Sequence, residues 1–178
     1  NLWGTAMKLT SIVYGGRTIA RRPSQYDEAV LSDVFDAILP ELAAECCWDI
    51  DKDADTINEA RQEFINAEST DGYKIMRHFD MCLGWDGDAR CVEIFDDAPF
   101  QRCLAGHVQR WIDYFKIEPL FKEGDTVAFM NGREEMHGVV EEVTRGEPGR
   151  YTIRVEGMVG KPVVRWELCK PKKAPQSD

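Results

Sequence analysis

Two histidine–cysteine pairs carry the spacing in this chain most able to do chemistry: His78-x-x-x-Cys82 and Cys103-x-x-x-His107. Residues four apart project from one face of a helix. Two such helices packed antiparallel would bring two imidazoles and two thiolates together, the donor set of a tetrahedral zinc site. The competing reading treats the cysteines as small hydrophobes and the histidines as rim residues of two half-buried helices. Cys103 and His107 favour it, because both fall on the apolar stripe of their own helix. Structural zinc sites also favour tighter C-x-x-C pairs, which the chain lacks. The expectation is no metal and no cofactor. A zinc-binding domain or metal-dependent enzyme built on His78, Cys82, Cys103 and His107 is the alternative.

Other chemistry finds less support. A Cys–His nucleophilic pair needs an activating base and a glycine-rich oxyanion loop, and no such loop flanks either cysteine. The acidic run Asp49-Ile-Asp-Lys-Asp-Ala-Asp55 resembles a calcium loop only in charge. Counted from Asp49, the positions that require glycine and glutamate hold Ala54 and Ala60. Carboxylate neighbours such as Asp96-Asp97 and Glu141-Glu142 point apart on a helix or strand, whereas glycoside hydrolysis needs them facing across a cleft. No phosphate-binding loop, dinucleotide fingerprint, nucleophile elbow or H-E-x-x-H occurs. The chain is read as not an enzyme.

Charge is the stronger functional signal. The full chain has 32 acidic and 22 basic residues, a net of −10. Between Asp27 and Phe100, 20 acids stand against five bases, whereas Pro119–Asp178 has ten of each. This balance disfavours direct nucleic-acid binding. It nominates Asp49, Asp51, Asp53, Asp55, Asp86, Asp88, Asp96 and Asp97 as an acidic partner-binding surface. No apolar run approaches the length of a membrane span. Six cysteines without a disulfide-framework spacing suggest reduced thiols and a cytoplasmic location.

These residues need elements to hold them, and the pattern predicts an α+β chain. Gly15-Gly16 between Lys8–Tyr14 and Arg17–Arg21 signals a two-residue hairpin turn. Ser24 is the expected cap of a helix whose stripe runs from Tyr26 through Val30, Leu31, Val34 and Phe35 to Cys46, with a kink or break at Pro40. Thr56 and Glu59 suggest a capping box for a helix to about Ala67. Gly72–Leu83 reads as a helix with Tyr73, Met76, Phe79 and Leu83 inward. Arg90–Phe95 reads as a strand, and Asp97 as the cap of a helix whose stripe includes Cys103, His107 and Trp111. After Pro119 the period becomes two, giving strands at 126–129, 138–143, 151–155 and 163–168.

At those residues a resemblance enters. Phe121-Lys-Glu-Gly-Asp-Thr-Val-Ala-Phe129, then His137-Gly-Val-Val-Glu-Glu-Val143, Tyr151-Thr-Ile-Arg-Val155 and Trp166-Glu-Leu168 resemble the small SH3-like barrels of the Tudor and KOW kind. The resemblance implies a barrel over 119–171. It makes Phe129, Arg133, Arg150, Tyr151, Arg154 and Trp166 the candidate partner surface of that module. The organisation expected is a vector-derived leader (1–6), an acidic, mainly helical domain with a short hairpin (7–118), the barrel (119–171) and a flexible tail (172–178). The segment 119–173 is expected to fold alone. The function expected is a non-catalytic interaction protein whose barrel docks a partner protein. The alternative is an acidic inhibitor that mimics DNA and occupies a nucleic-acid-binding enzyme. In size and charge the chain resembles the anti-restriction and anti-CRISPR proteins of phages and mobile elements.

Overall fold

The computed structural model describes residues 11–85, 87–144 and 147–172. The leader 1–6, the strand start at Lys8, Asp86 and the tail from Lys173 onward lie outside the described residues. The chain is α+β: among the described residues a hairpin, five helices and a curled antiparallel sheet follow one another. It divides into two compact units. One comprises residues 23–107; the other joins 1–22 to 108–178.

Strands β1 (Ser11–Tyr14) and β2 (Arg17–Ala20) pair around Gly15 and Gly16, whose φ values are +55° and +76°. Two consecutive positive φ angles define the turn that matches strand twist, and glycine meets them without a Cβ clash.

In the unit of residues 23–107, α1 (Glu28–Glu45) begins after Asp27. Ser24 is not its cap. The Ser24 amide instead donates to Asp27 Oδ2 at 3.0 Å, and the Asp27 amide donates back to the Ser24 carbonyl at 3.1 Å. Helix α1 continues through Pro40, which faces solvent, as does Asp36 one turn earlier. The backbone amide that proline lacks is thus missing from the wet side, where water can serve the freed carbonyl. Helix α2 (Ala54–Asn66) starts after Asp53 with no side-chain cap, so the Thr56–Glu59 capping box does not form.

Helix α3 (Gly72–Leu83) is capped by Asp71, which accepts from the Lys74 amide at 2.9 Å. Its inward face is Ile75, Met76 and Phe79; Tyr73 faces solvent. Residues 90–95 are helical, not extended: α4 spans Ala89–Asp96. Asp88 caps it, accepting from the Arg90 and Cys91 amides at 2.9 and 3.1 Å. Cys91, Ile94 and Phe95 are then buried together with helical spacing. Asp97 ends α4 and does not start α5 (Phe100–Phe115). Phe64 is the hub of this core, with ring centroids 5.6 Å from Phe35, 5.8 Å from Phe95 and 6.0 Å from Phe100.

The other unit is built on β3 (Thr126–Asn131), β4 (Glu134–Val143), β5 (Arg150–Arg154), β6 (Val163–Arg165) and β7 (Lys170–Pro171), in the order β6-β5-β4-β3-β7 with every pairing antiparallel. The expected loop 130–137 is a tight hairpin, with Asn131 opposite Glu134. Residues Trp166–Leu168 form a 3₁₀ turn instead of ending a strand, which leaves Leu168 exposed. Strand β5 approaches β4 closely at Gly138. A Cβ there would meet Ile153 Cγ2 at 2.5 Å and the Arg154 carbonyl oxygen at 2.7 Å, so only glycine permits this approach. A register shift between Val140 and Glu142 interrupts the β4–β5 ladder, a local irregularity of the kind that bends and twists a strand.

The hairpin and the end of α5 complete this unit. Tyr14 Oη donates to the Glu118 carbonyl at 2.9 Å, and Arg17 Nη2 reaches the carbonyls of Phe115 and Lys116 at 3.1 and 3.2 Å. Trp111, 1% exposed, donates its indole N–H to the Ala20 carbonyl at 3.0 Å. Trp111→Phe keeps most of the buried ring and removes that donor. It should lower stability by about 1–3 kcal/mol in urea unfolding, whereas Gln109→Ala on the exposed face should cost under about 0.5 kcal/mol. Equal losses would mean that the indole bond contributes nothing of its own.

Candidate functional site

The acidic residues nominated from sequence divide by what their carboxylates hold. Asp53 Oδ2 accepts from the Asp49 amide at 2.8 Å, and Asp49 Oδ1 from the Asp51 amide at 3.1 Å. These two carboxylates fold the loop onto itself. Asp88 caps α4, and Asp96 Oδ1 accepts from the Gly72 amide at 2.6 Å, fastening the start of α3. Asp51, Asp55 and Asp97 are exposed. Asp86 lies outside the described residues.

Beside this loop, Glu45, Cys46, Trp48, Gly84, Trp85, Gly87, Asp88 and Cys91 line a cleft of about 380 Å³. Helix endings create it. Cys47 (φ +57°) stops α1 and Gly84 (φ +67°) stops α3, and a tryptophan follows each. The two indoles meet at 4.7 Å between centroids, and Trp85 also stands edge-on to Phe79 at 5.1 Å. Indole faces edged by the exposed carboxylates of Glu45 and Asp88 suit a cationic side chain. Sequence reasoning gave neither tryptophan a place in a site, because the pairing joins the ends of two helices far apart in the chain.

The cleft is poorly equipped for nucleophilic chemistry. Burial, then the neighbouring Cys91, pushes the Cys46 thiol up to about 12. Burial also raises Cys91, and it pushes Cys169 in the other unit up to about 12. Neutral thiols at physiological pH are not nucleophiles.

The nominated aromatics of the sheet are core residues. Phe129, Tyr151 and Trp166 are all buried. The Tyr151 hydroxyl accepts from the Phe121 amide at 3.0 Å, and the Trp166 indole donates to the Arg150 carbonyl at 2.9 Å. Their rings sit inside the sheet's fold and cannot present a recognition surface. Arg150 pairs with Glu147 at 2.7 Å, while Arg133 and Arg154 are exposed.

The four-ligand zinc arrangement is not assembled. His107 Nε2 lies 2.9 Å from Asp33 Oδ2 on α1. His78 instead meets Glu63 on α2 at 2.8 Å, and Cys82 Sγ lies 3.6 Å from His78 Nε2. Cys103 packs against the helical core. Among the described residues, no helix is long and apolar enough to cross a membrane. Comparison with known proteins found no matching family model, curated protein or solved structure.

Proposed function

We propose that this chain is a non-catalytic interaction protein, in which an acidic helical unit and an SH3-like barrel dock a partner protein in the cytoplasm. The observation that carries the reading is the contrast in charge between the two compact units. Residues 23–107 contain 20 acidic and six basic residues, a net of −14, and the remainder carries +4. Such a contrast steers association with a basic partner and fixes its orientation. The indole cleft supplies an anchor for one of that partner's cationic side chains. The barrel reading is supported by the strand order, in which β7 returns to pair with β3 after a 3₁₀ turn.

A second reading rests on the same charge density. Carboxylates displayed at rough phosphate spacing would occupy the DNA site of a nucleic-acid-binding enzyme, as an inhibitor carried by a phage or mobile element would.

Charge reversal separates these readings. Glu45, Asp51 and Asp55 are exposed, and neither loop aspartate is among those that fold the loop. Lysine at all three positions should leave the fold intact and weaken partner binding by about tenfold or more at low salt, with a smaller effect at high salt. Arg133→Glu with Arg154→Glu tests the barrel in the same way. Loss from both sets is the outcome of the docking reading, in which the acidic unit and the barrel each contribute; loss from the first set alone favours the mimic, and loss from the second alone makes the barrel the docking module. If neither set changes binding by isothermal titration against the captured partner, both electrostatic readings fail.

A further inference from the structure

We propose that Glu63, His78 and Cys82 form a binding site for a divalent transition metal of the zinc class, with its fourth coordination position open to solvent. Nothing in the docking function requires this site. His78 and Cys82 stand one turn apart on α3, and Glu63 faces them from α2. Their ligand atoms all lie within 4.8 Å of one another, the one such group of three or more among the described residues.

The distances fit a metal of that size. With metal–sulfur and metal–nitrogen bonds of about 2.3 and 2.0 Å, tetrahedral angles place sulfur and nitrogen about 3.5 Å apart. Cys82 Sγ and His78 Nε2 are 3.6 Å apart. A carboxylate oxygen would stand about 3.3 Å from the nitrogen. Glu63 Oε2 is at 2.8 Å, so it must retreat by about half an ångström as the hydrogen bond gives way to the ion. Both partners converge on the same imidazole nitrogen, which can donate only one proton. A cation at that point serves all three.

The surroundings orient the set. Asn66 Nδ2 donates to Glu63 Oε1 at 3.1 Å, and Gln62 Nε2 donates to Asn66 Oδ1 at 3.2 Å. This chain holds one carboxylate oxygen aside and leaves the other aimed at His78, as outer partners do in metal centres. Imidazole with thiolate selects zinc, cobalt, nickel or copper over magnesium and calcium. Glu63 and His78 are half-buried and Cys82 is exposed, so the open position lies on the wet side. Binding releases the thiol proton of Cys82 to solvent and leaves no redox step to balance.

Cobalt chloride titrated into the full-length, untagged, chelator-stripped protein is the test. One equivalent should bind, with a thiolate-to-cobalt charge-transfer band in the near ultraviolet that zinc chloride abolishes. Cys82→Ser should remove the band without changing the circular dichroism of the metal-free protein, and His78→Gln should do the same. Asn66→Ala should keep the band and weaken affinity by roughly tenfold. Cys47→Ser, at another exposed thiol, should change nothing. A band that survives Cys82→Ser, a band lost with Cys47→Ser, or the absence of saturable binding would overturn the proposal.

Discussion

Replacing Arg22 with alanine is expected to destabilise the protein by about 3–5 kcal/mol, because it strands a charge and two carbonyls at once. Arg22 is 9% exposed and is the one buried charged residue among those described. Its guanidinium donates to the Gly149 and Pro148 carbonyls at 2.9 and 2.7 Å and lies 3.6 Å from Glu167, whose side chain is itself 12% exposed. Burial lowers the guanidinium's pKa, and Glu167 opposes that shift. Lysine should recover only part of the loss, since one ammonium cannot reproduce a planar fork on two carbonyls. Arg22→Met combined with Glu167→Gln should lie closer to wild type than Arg22→Met alone, because no carboxylate is then left buried and unpaired. A loss under about 1 kcal/mol for Arg22→Ala in denaturant unfolding would show that water replaces the side chain freely.

A larger effect is expected from cutting the chain. The fragment 119–172 should show no cooperative thermal transition. The same fragment extended back to Val108 and joined through a flexible linker to residues 11–22 should melt as one unit. The strand pattern on its own suggests that the sheet folds independently. The structure adds Arg22 against the β4–β5 loop, Tyr14 against Glu118 and Trp111 against Ala20, all within one compact unit. A sheet of about 50 residues has little stability to spare for losing them. Cooperative melting of the short fragment would show that those contacts are dispensable.

These two expectations mark where the sequence was legible. Hairpin β1–β2 followed from two adjacent glycines, and α1, α2 and α3 from stripes long enough to establish a helical period. Strands β3 to β6 followed from alternation, whereas β7, only two residues long, gives no period to read. Residues 90–95 fit either period, because six residues with apolar Cys91, Val92, Ile94 and Phe95 are too few to separate strand from helix. The Asp88 cap and the packing of Phe95 against Phe64 and Phe79 decide in favour of helix. The β3–β4 turn has its own local signal in Asn131-Gly132, a pair that favours tight hairpins.

The candidate sites were less legible for a different reason. Spacing correctly placed His78 and Cys82 on one helical face, but the third member of that group, Glu63, comes from the preceding helix. Nothing local in Glu63 distinguishes it from its acidic neighbours. Phe129, Tyr151 and Trp166 were nominated through the barrel resemblance, and alternation alone does not say which side of a curled sheet is inside. Exposure itself did not separate the acidic residues either: Asp88 and Asp96 are exposed, yet both are committed to backbone amides.

The division of the chain also sets an order of events during synthesis. Arg22 is separated from its acceptor Gly149 by 127 residues. At about 5–20 residues per second, Arg22 waits about 6–25 s after emerging before its acceptor exists. Residues 23–107, a compact unit contiguous in sequence, can close within that interval. The late step joins the first strands to the last ones. Over that wait the exposed edges of β1 and β2 are the part of the newborn chain most open to pairing with the wrong partner.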